Sequence, residues 1–199
     1  MEEPIKQDSQ SFETSIQDGR ITITKYRGSG LTILIPSTIE GLPVTSIGHE
    51  AFSKCTNLIG VVVPDSVTSI GYLAFASCDN LESISLGNGV TSIGQAAFYH
   101  CIRLYSVTIP NSVTSIEAKA FWDCLRLTKV TIGKSVTTIG DGAFHCCLRL
   151  MGVYFEGDAP TLGEGVFQGD DNAVVLYLPS TKGWRSSFGG RPTAQWNQN

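Results

Sequence analysis

The chain has 199 residues and a net charge of −4, enough for one ordinary domain or one short repeat array. It is 42% hydrophobic but only 16% charged, so a real core can form while Ser, Thr, Gly and Asn supply much of the surface. Lys and Arg are scattered without a basic run, which argues against nucleic acid as a partner, and no apolar run approaches the roughly 18 residues of a membrane-spanning helix.

The opening, Met1-Glu2-Glu3-Pro4, is acidic and polar. It offers neither a basic n-region nor an apolar h-region, so no signal peptide is visible. Two readings follow: synthesis without export, or a mature chain to which a start Met was added. Residues 1–16 are expected to form an N-terminal tail, for which disorder is one reading. Residues 17–43 read as a capping coil. There Ile33, Ile35 and Pro36 match the strand pattern of later coils, but five extra residues precede Val44.

Residues 44–155 carry a period of 23. Ala-Phe pairs recur at Ala51-Phe52, Ala74-Phe75, Ala97-Phe98, Ala120-Phe121 and Ala143-Phe144. Cys55, Cys78, Cys101, Cys124 and Cys147 keep the same step, as do Leu58 to Leu150, Val44 to Val136 and Ile47 to Ile139. Five markers in one register define a repeat architecture. In Leu58–Val63 the alternation of Val61 and Val63 against Val62 predicts a strand, ended by Pro64 or, in other coils, Gly87 or Gly133. Val-Thr-Ser-Ile-Gly predicts a second short strand, with Gly48, Gly71, Gly94 and Gly140 turning the chain and Glu117 breaking that rule. Ala-Phe-x-x-Cys fits a single turn of α or 3₁₀ helix. Residues 156–185 read as a degenerate coil: Leu162 replaces Ile, Val166-Phe167 replaces Ala-Phe, Asp170 falls at the Cys position, and Leu176, Leu178 and Pro179 match Val61, Val63 and Pro64. Residues 186–199 read as a C-terminal tail.

No coil can bury its own apolar side, but stacked coils do, at about 4.8 Å per rung. The predicted fold is a mainly β repeat solenoid, right-handed, with 23-residue coils and short helical or 3₁₀ turns, spanning residues 17–185. The unit over residues 104–124, Leu-x-x-Val-x-Ile-Pro-x-Ser-Val-Thr-Ser-Ile-x-x-x-Ala-Phe-x-x-Cys, resembles the BspA-type leucine-rich repeat. Gly19 to Thr24, Ile35-Pro36, Pro43-Val44-Thr45 and Leu176-Tyr177-Leu178-Pro179 resemble the ends of that family's arrays. The resemblance implies a leucine-rich-repeat solenoid and a bacterial or protist cell-surface protein linked to adhesion. Family likeness lies in core positions, whereas partners are set by surface positions.

Six cysteines raise a metal or disulfide reading, but only Cys146-Cys147 are close, and adjacent cysteines rarely share one ion. Five of them form an inward ladder of small buried residues, read as reduced thiols, with neighbouring rungs near disulfide Cα distance. Cys146 replaces Lys54, Ser77, His100 and Asp123, which predicts a more exposed and more reactive thiol. No metal, cofactor or catalytic residue is assigned. His49-Glu50 lacks the second His of a zinc-protease helix, and Gly133-Lys134-Ser135 lacks the earlier Gly of a phosphate loop, where Thr128 stands. Asp170-Asp171 beside Gly169 reads as a solvated turn, with a weak calcium site as its functional alternative.

Surface ladders carry what functional signal there is. After Phe come Ser53, Ala76, Tyr99, Trp122 and His145; two residues past Cys come Asn57, Asn80, Arg103, Arg126 and Arg149. Stacked like charges repel unless an acid answers them, and Asp123 is the nearest internal candidate. Tyr, Trp and Arg are also enriched at binding hot spots. The outward strand row runs Leu34, Val62, Ser85, Thr108, Thr131, Tyr154 and Tyr177, which sheet propensity alone accounts for in large part. Tyr99, Trp122, His145, Arg103, Arg126, Arg149 and Tyr154 are therefore the candidate partner-binding residues. The bland reading of the same residues is cover for the core edge. Three functions remain: a binding or adhesion module contacting a protein or glycan, a structural spacer or self-associating array (including a homodimer through this face or a solenoid end), and an enzyme, for which ladder geometry supplies no cleft of convergent titratable groups.

Overall fold

The computed structural model describes residues 5–6 and 9–197. Two largely parallel sheets run the length of a solenoid. Among the described residues the first has ten strands and the second nine. The first takes one strand per coil, from Thr32–Leu34 through Gly60–Val62, Ser83–Ser85, Ser106–Ile109, Lys129–Ile132 and Gly152–Phe155 to Val174–Tyr177. The second stacks the short Ser-Ile segments, Ser69–Ile70, Ser92–Ile93, Ser115–Ile116 and Thr138–Ile139. Partners lie 23 residues apart, as in Val61 beside Ile84 and Val130 beside Val153.

The core is a set of vertical ladders. Phe52, Phe75, Phe98, Phe121, Phe144 and Phe167 are fully buried and stack in sequence with centroids 4.7, 5.2, 5.0, 5.3 and 5.8 Å apart and rings within 15° of parallel. Each buried ring contributes about 1.5–3 kcal/mol, but only because the coils above and below supply its walls.

The Ala-Phe-x-x-Cys piece is a run of turns, not the expected helical turn. Its residues two before and two after Phe are left-handed, as at Glu50 (φ 52°) and Lys54 (φ 61°), Leu73 (φ 52°) and Ser77 (φ 56°), and Lys119 (φ 60°) and Asp123 (φ 62°). This conformation costs a non-glycine residue about 1–2 kcal/mol. It turns alternate amides along the stack. Glu50, Phe52 and Lys54 N–H donate to Tyr72, Ala74 and Ala76 of the next coil, while Ser53 and Cys55 N–H bond back three residues. The segment thus joins neighbouring coils by hydrogen bonds, which a self-contained helical turn does not.

Gly71 and Gly94 open the turn after each strand, their carbonyls accepting from the Ala74 and Ala97 N–H, and they also permit close approach: a β-carbon on Gly71 would stand 2.9 Å from the Gly48 carbonyl carbon, and one on Gly94 2.7 Å from the Ile70 oxygen.

Both ends depart from the expected boundaries. Phe12–Gln17 pairs antiparallel with Arg20–Tyr26 through Asp18 (φ 51°) and Gly19 (φ 69°), a two-residue type I′ hairpin. The sheet therefore begins within the expected 1–16 tail, of which residues 1–4 and 7–8 lie outside the described residues. At the other end Ser187–Phe188 and Arg191–Gln195 form a hairpin through Gly189 (φ 58°) and Gly190 (φ 79°), and Arg191–Gln195 adds to the first sheet beside Val174–Tyr177. This hairpin lies within the expected 186–199 tail, of which residues 198–199 lie outside the described residues. Its Gly189 lies against the Phe167 ring that ends the Phe ladder, while its Phe188, with Trp184 just before it, packs on Phe155.

The last full coil also has a different register. Val153 pairs with Val175 and Phe155 with Tyr177, a step of 22, so Leu176 and Leu178 do not take the Val61 and Val63 places. Ala173 sits buried at the Leu position, and the strand starts at the next residue, Val174, where Met151 separates Leu150 from Gly152. Leu176, not Tyr177, therefore follows Tyr154 in the outward row.

Candidate functional site

The turn after each Cys places one side chain at the corner where the coil enters the first sheet. In two early coils it is Asn. The Asn57 amide donates to Gly30 O at 3.0 Å and the Asn80 amide to Thr56 O at 2.6 Å, each tying a coil to its predecessor. Arg103, Arg126 and Arg149 occupy the same place in the next three coils. All three are exposed, and among the described residues none has a hydrogen-bond or ion-pair partner. Asp123, expected to answer them, is held by His100 Nδ1 at 2.6 Å.

Two adjoining hollows lie along this corner. One is lined by Glu82, Arg103, Tyr105, Arg126, Thr128 and Arg149. The other, of about 960 Å³, shares Tyr105, Thr128 and Arg149 and adds Lys129, Leu148, Met151 and Tyr154. Tyr105 and Met151 are 62% exposed and Leu148 55%, so three exposed apolar side chains line the hollow beside the basic ladder. Tyr154 lies over Gly152, flanked by the Lys129 ammonium 4.7 Å from its ring centroid and by the edge of Trp196.

The structure divides the candidate residues. Arg103, Arg126, Arg149 and Tyr154 line these hollows. Tyr99, Trp122 and His145 do not, and form a ladder of their own. Trp122 stacks on His145 at 3.9 Å, receives Lys119 at 5.2 Å, and lies over Gly142, so much of its surface is already covered. Tyr105, Leu148 and Met151 are the residues that sequence reasoning passed over. Leu148 directly follows Cys147, at the position where the earlier coils carry Thr56, Asp79, Ile102 and Leu125. Tyr105 and Met151 fell in variable positions of the repeat, where only an unusually large side chain among Ile59, Glu82 and Thr128 could have marked them.

The cysteine ladder is structural. All six thiols are free. Cys78, Cys101, Cys124 and Cys147 each donate to the carbonyl oxygen of a Phe 26 residues earlier, at 3.1–3.3 Å. Burial pushes their thiols far above the ordinary range, so they carry no thiolate for chemistry. Cys146, expected to be more exposed and more reactive, is half-buried where Cys78, Cys101, Cys124 and Cys147 are buried; desolvation and then the Asp123 and Asp170 charges raise its thiol as well.

Asp170 corrects a second expectation. It is not a solvated turn: it is fully buried at the Cys position of the last coil, and neither carboxyl oxygen has a hydrogen-bond partner. Desolvation dominates and moves its pKa up to about 7, with the nearby Cys147 amide and Arg191 guanidinium pulling it back and Asp171 pushing further. Arg191 bonds the Asp170 carbonyl at 3.1 Å and the Asp171 carboxylate at 3.0 Å.

This architecture, parallel coils with Leu, Val, Ile and Phe ladders and a turn-rich side, defines a leucine-rich-repeat solenoid. The model of the BspA type leucine rich repeat region matches residues 45–174 in six copies, and the chain belongs to that family. Among solved structures it is similar to the leucine-rich repeat protein of T. pallidum, at 32% identity and TM-score 0.82 over 89% of this chain and 84% of that one. It is also similar to a leucine rich cell surface protein of Faecalibacterium prausnitzii, at 28% identity and TM-score 0.69 over 88% of this chain and 55% of that one. The pneumococcal vaccine antigen PcpA shares the fold at 14% identity and TM-score 0.69, over 96% of this chain and 49% of that one. No curated protein matches the chain. Among the described residues no helix is long and apolar enough to cross a membrane.

Proposed function

We propose that this protein is a non-catalytic binding module that contacts a protein or glycan partner through the corner lined by Arg103, Arg126, Arg149, Tyr105 and Tyr154. One observation carries the reading. Asn at this position ties coils together, and three successive coils give that bond up for unpaired guanidiniums, whose mutual repulsion works against the fold. Local conflicts with stability are expected at functional sites. Exposed Tyr, Met and Leu beside them supply the apolar contact that guanidiniums lack. Kinship with a protein described as a cell surface protein supports a place on the cell surface.

The test uses Asn, the residue that early coils already carry. Protein and glycan arrays probed with the parent and with R103N/R126N/R149N should show saturable signals that the variant loses. Identical profiles would remove the site. A spacer would bind nothing saturably, and a self-associating array would show its dissociation constant in a sedimentation series.

A further inference from the structure

We infer that the occupant of this corner is an acidic amphipathic α-helix of a protein partner, lying along the solenoid axis. The inference rests on the binding reading above and adds the chemistry and conformation of the ligand.

Charge comes first. Arg103, Arg126 and Arg149 face outward with no partner among the described residues, and Lys129 adds a fourth cation beside Tyr154. Glu82, beside Arg103, is the acid that lines these hollows. A guanidinium presents a planar fork suited to carboxylates. The complementary ligand is therefore acidic, and its charge density is greatest opposite Arg126 and Arg149, away from Glu82.

Spacing comes second. The cations repeat once per rung, about 4.8 Å. A helix advances about 5.4 Å per turn, so acids at i, i+3 or i+4, and i+7 follow the Arg ladder. In an extended peptide, side chains on one face are about 6.8 Å apart and fall out of step by the third Arg.

A second ladder stands beside the first. Tyr105 and Met151 are two rungs apart with Thr128 between them, and Leu148 neighbours Arg149. A helix with an apolar stripe next to its acidic stripe meets both ladders at once. A uniform polyanion meets only one.

Backbone hydrogen bonding decides between peptide conformations. The strands below, Ser106–Ile109, Lys129–Ile132 and Gly152–Phe155, are paired on both sides. No free edge is available for an added strand, so an extended peptide would leave its own amides unpaired over this face. A helix satisfies its backbone internally.

The experiment measures fluorescence anisotropy of a labelled, side-chain-stapled helical peptide with Glu and Leu stripes adjacent. Comparators are the unstapled sequence with a central Pro, a stapled peptide whose stripes lie on opposite faces, and heparin. The adjacent-stripe helix should bind the intact chain at least about tenfold tighter than either peptide comparator, the effect of one charge-assisted contact. Both R126N/R149N and Tyr105→Ala should abolish that advantage.

Equal binding of stapled and Pro-broken peptides would overturn the helix assignment, as would insensitivity to Tyr105→Ala. Heparin binding lost in R126N/R149N, with no preference for the helix, would overturn the helix while leaving the binding site intact. Binding of every probe unchanged in R126N/R149N would remove the site itself.

Discussion

Tyr154 rests on Gly152. A β-carbon on that glycine would come within 2.6 Å of Tyr154 Cε2 and 3.1 Å of Cζ, so the missing side chain is what lets the ring lie across the sheet. Lys129 approaches the same ring at 4.7 Å. The aromatic floor of the larger hollow thus depends on a residue that contributes no atom to the contact.

Gly152→Ala should swing the Tyr154 ring off the sheet while sparing the core, because the displaced atoms are the far end of a flexible side chain. The melting temperature should move by less than about 2 °C, in keeping with a surface change of about 0.5 kcal/mol. Affinity for any ligand of this corner should fall to the level of Tyr154→Ala. Calorimetry and titration on the same sample check both halves, and a Gly152→Ala chain that binds like the parent would show that the ring position is immaterial.

Phe98 lies between Phe75 and Phe121 in the aromatic ladder, at 5.2 and 5.0 Å. Phe98→Ala should cost about 3–5 kcal/mol. Coils touch only their neighbours, so the loss should also weaken the coupling between the two halves of the array. Urea unfolding should show a lower midpoint and a broader or two-step transition. A single transition of unchanged slope would show that the coils are coupled by something other than this ladder.

Asp170 makes stability depend on pH, and the direction follows from its raised pKa. Its ordinary value is 3.8 and its folded value about 7, so the folded chain binds the proton more tightly than the unfolded chain. The stability contributed by the protonated group is complete below pH 4 and is lost as pH rises through 7. Three pH units correspond to at most about 4 kcal/mol. Asp170→Cys restores the ladder residue, whose thiol donates to the Phe carbonyl in four preceding coils. That variant should melt higher than the parent at pH 8 and should flatten the parent's decline between pH 4 and 7. Parallel melting curves across that range would contradict the assignment.

The period of 23 was legible because it resides in buried side chains. Phe, Cys, Leu, Val and Ile recur wherever neighbours must touch, and those recurrences place nearly every core residue. Turn conformation was not legible in the same way. Glu50, Lys54, Leu73 and Ser77 are left-handed without being glycine, and coil-to-coil hydrogen bonds impose that conformation from outside the segment. The chain ends were missed although Asp18-Gly19 and Gly189-Gly190 are hairpin signals; a search for the parallel repeat passes over antiparallel caps. The slip to Val175 arises from one absent residue between Ala173 and Val174, which matching Leu176 and Leu178 to Val61 and Val63 conceals.

The candidate site was legible only as rows. Arg103, Arg126 and Arg149 announce themselves by period and by departure from Asn57 and Asn80. Which rows share a hollow depends on side-chain direction at a corner, and periodicity is silent on that. Trp122 therefore stood out by residue type, while the geometry gives it to His145 and Lys119 and brings Tyr105 and Met151 to the arginines.

The most direct test of the whole account is the thermal melting of R103N/R126N/R149N. If the arginines are held for a partner at the expense of the fold, Asn in all three coils should restore the coil-to-coil bond and relieve the repulsion. At about 0.5 kcal/mol per position the melting temperature should rise by about 3–6 °C. A fall of several degrees would mean that the guanidiniums support the solenoid and are not set apart for binding.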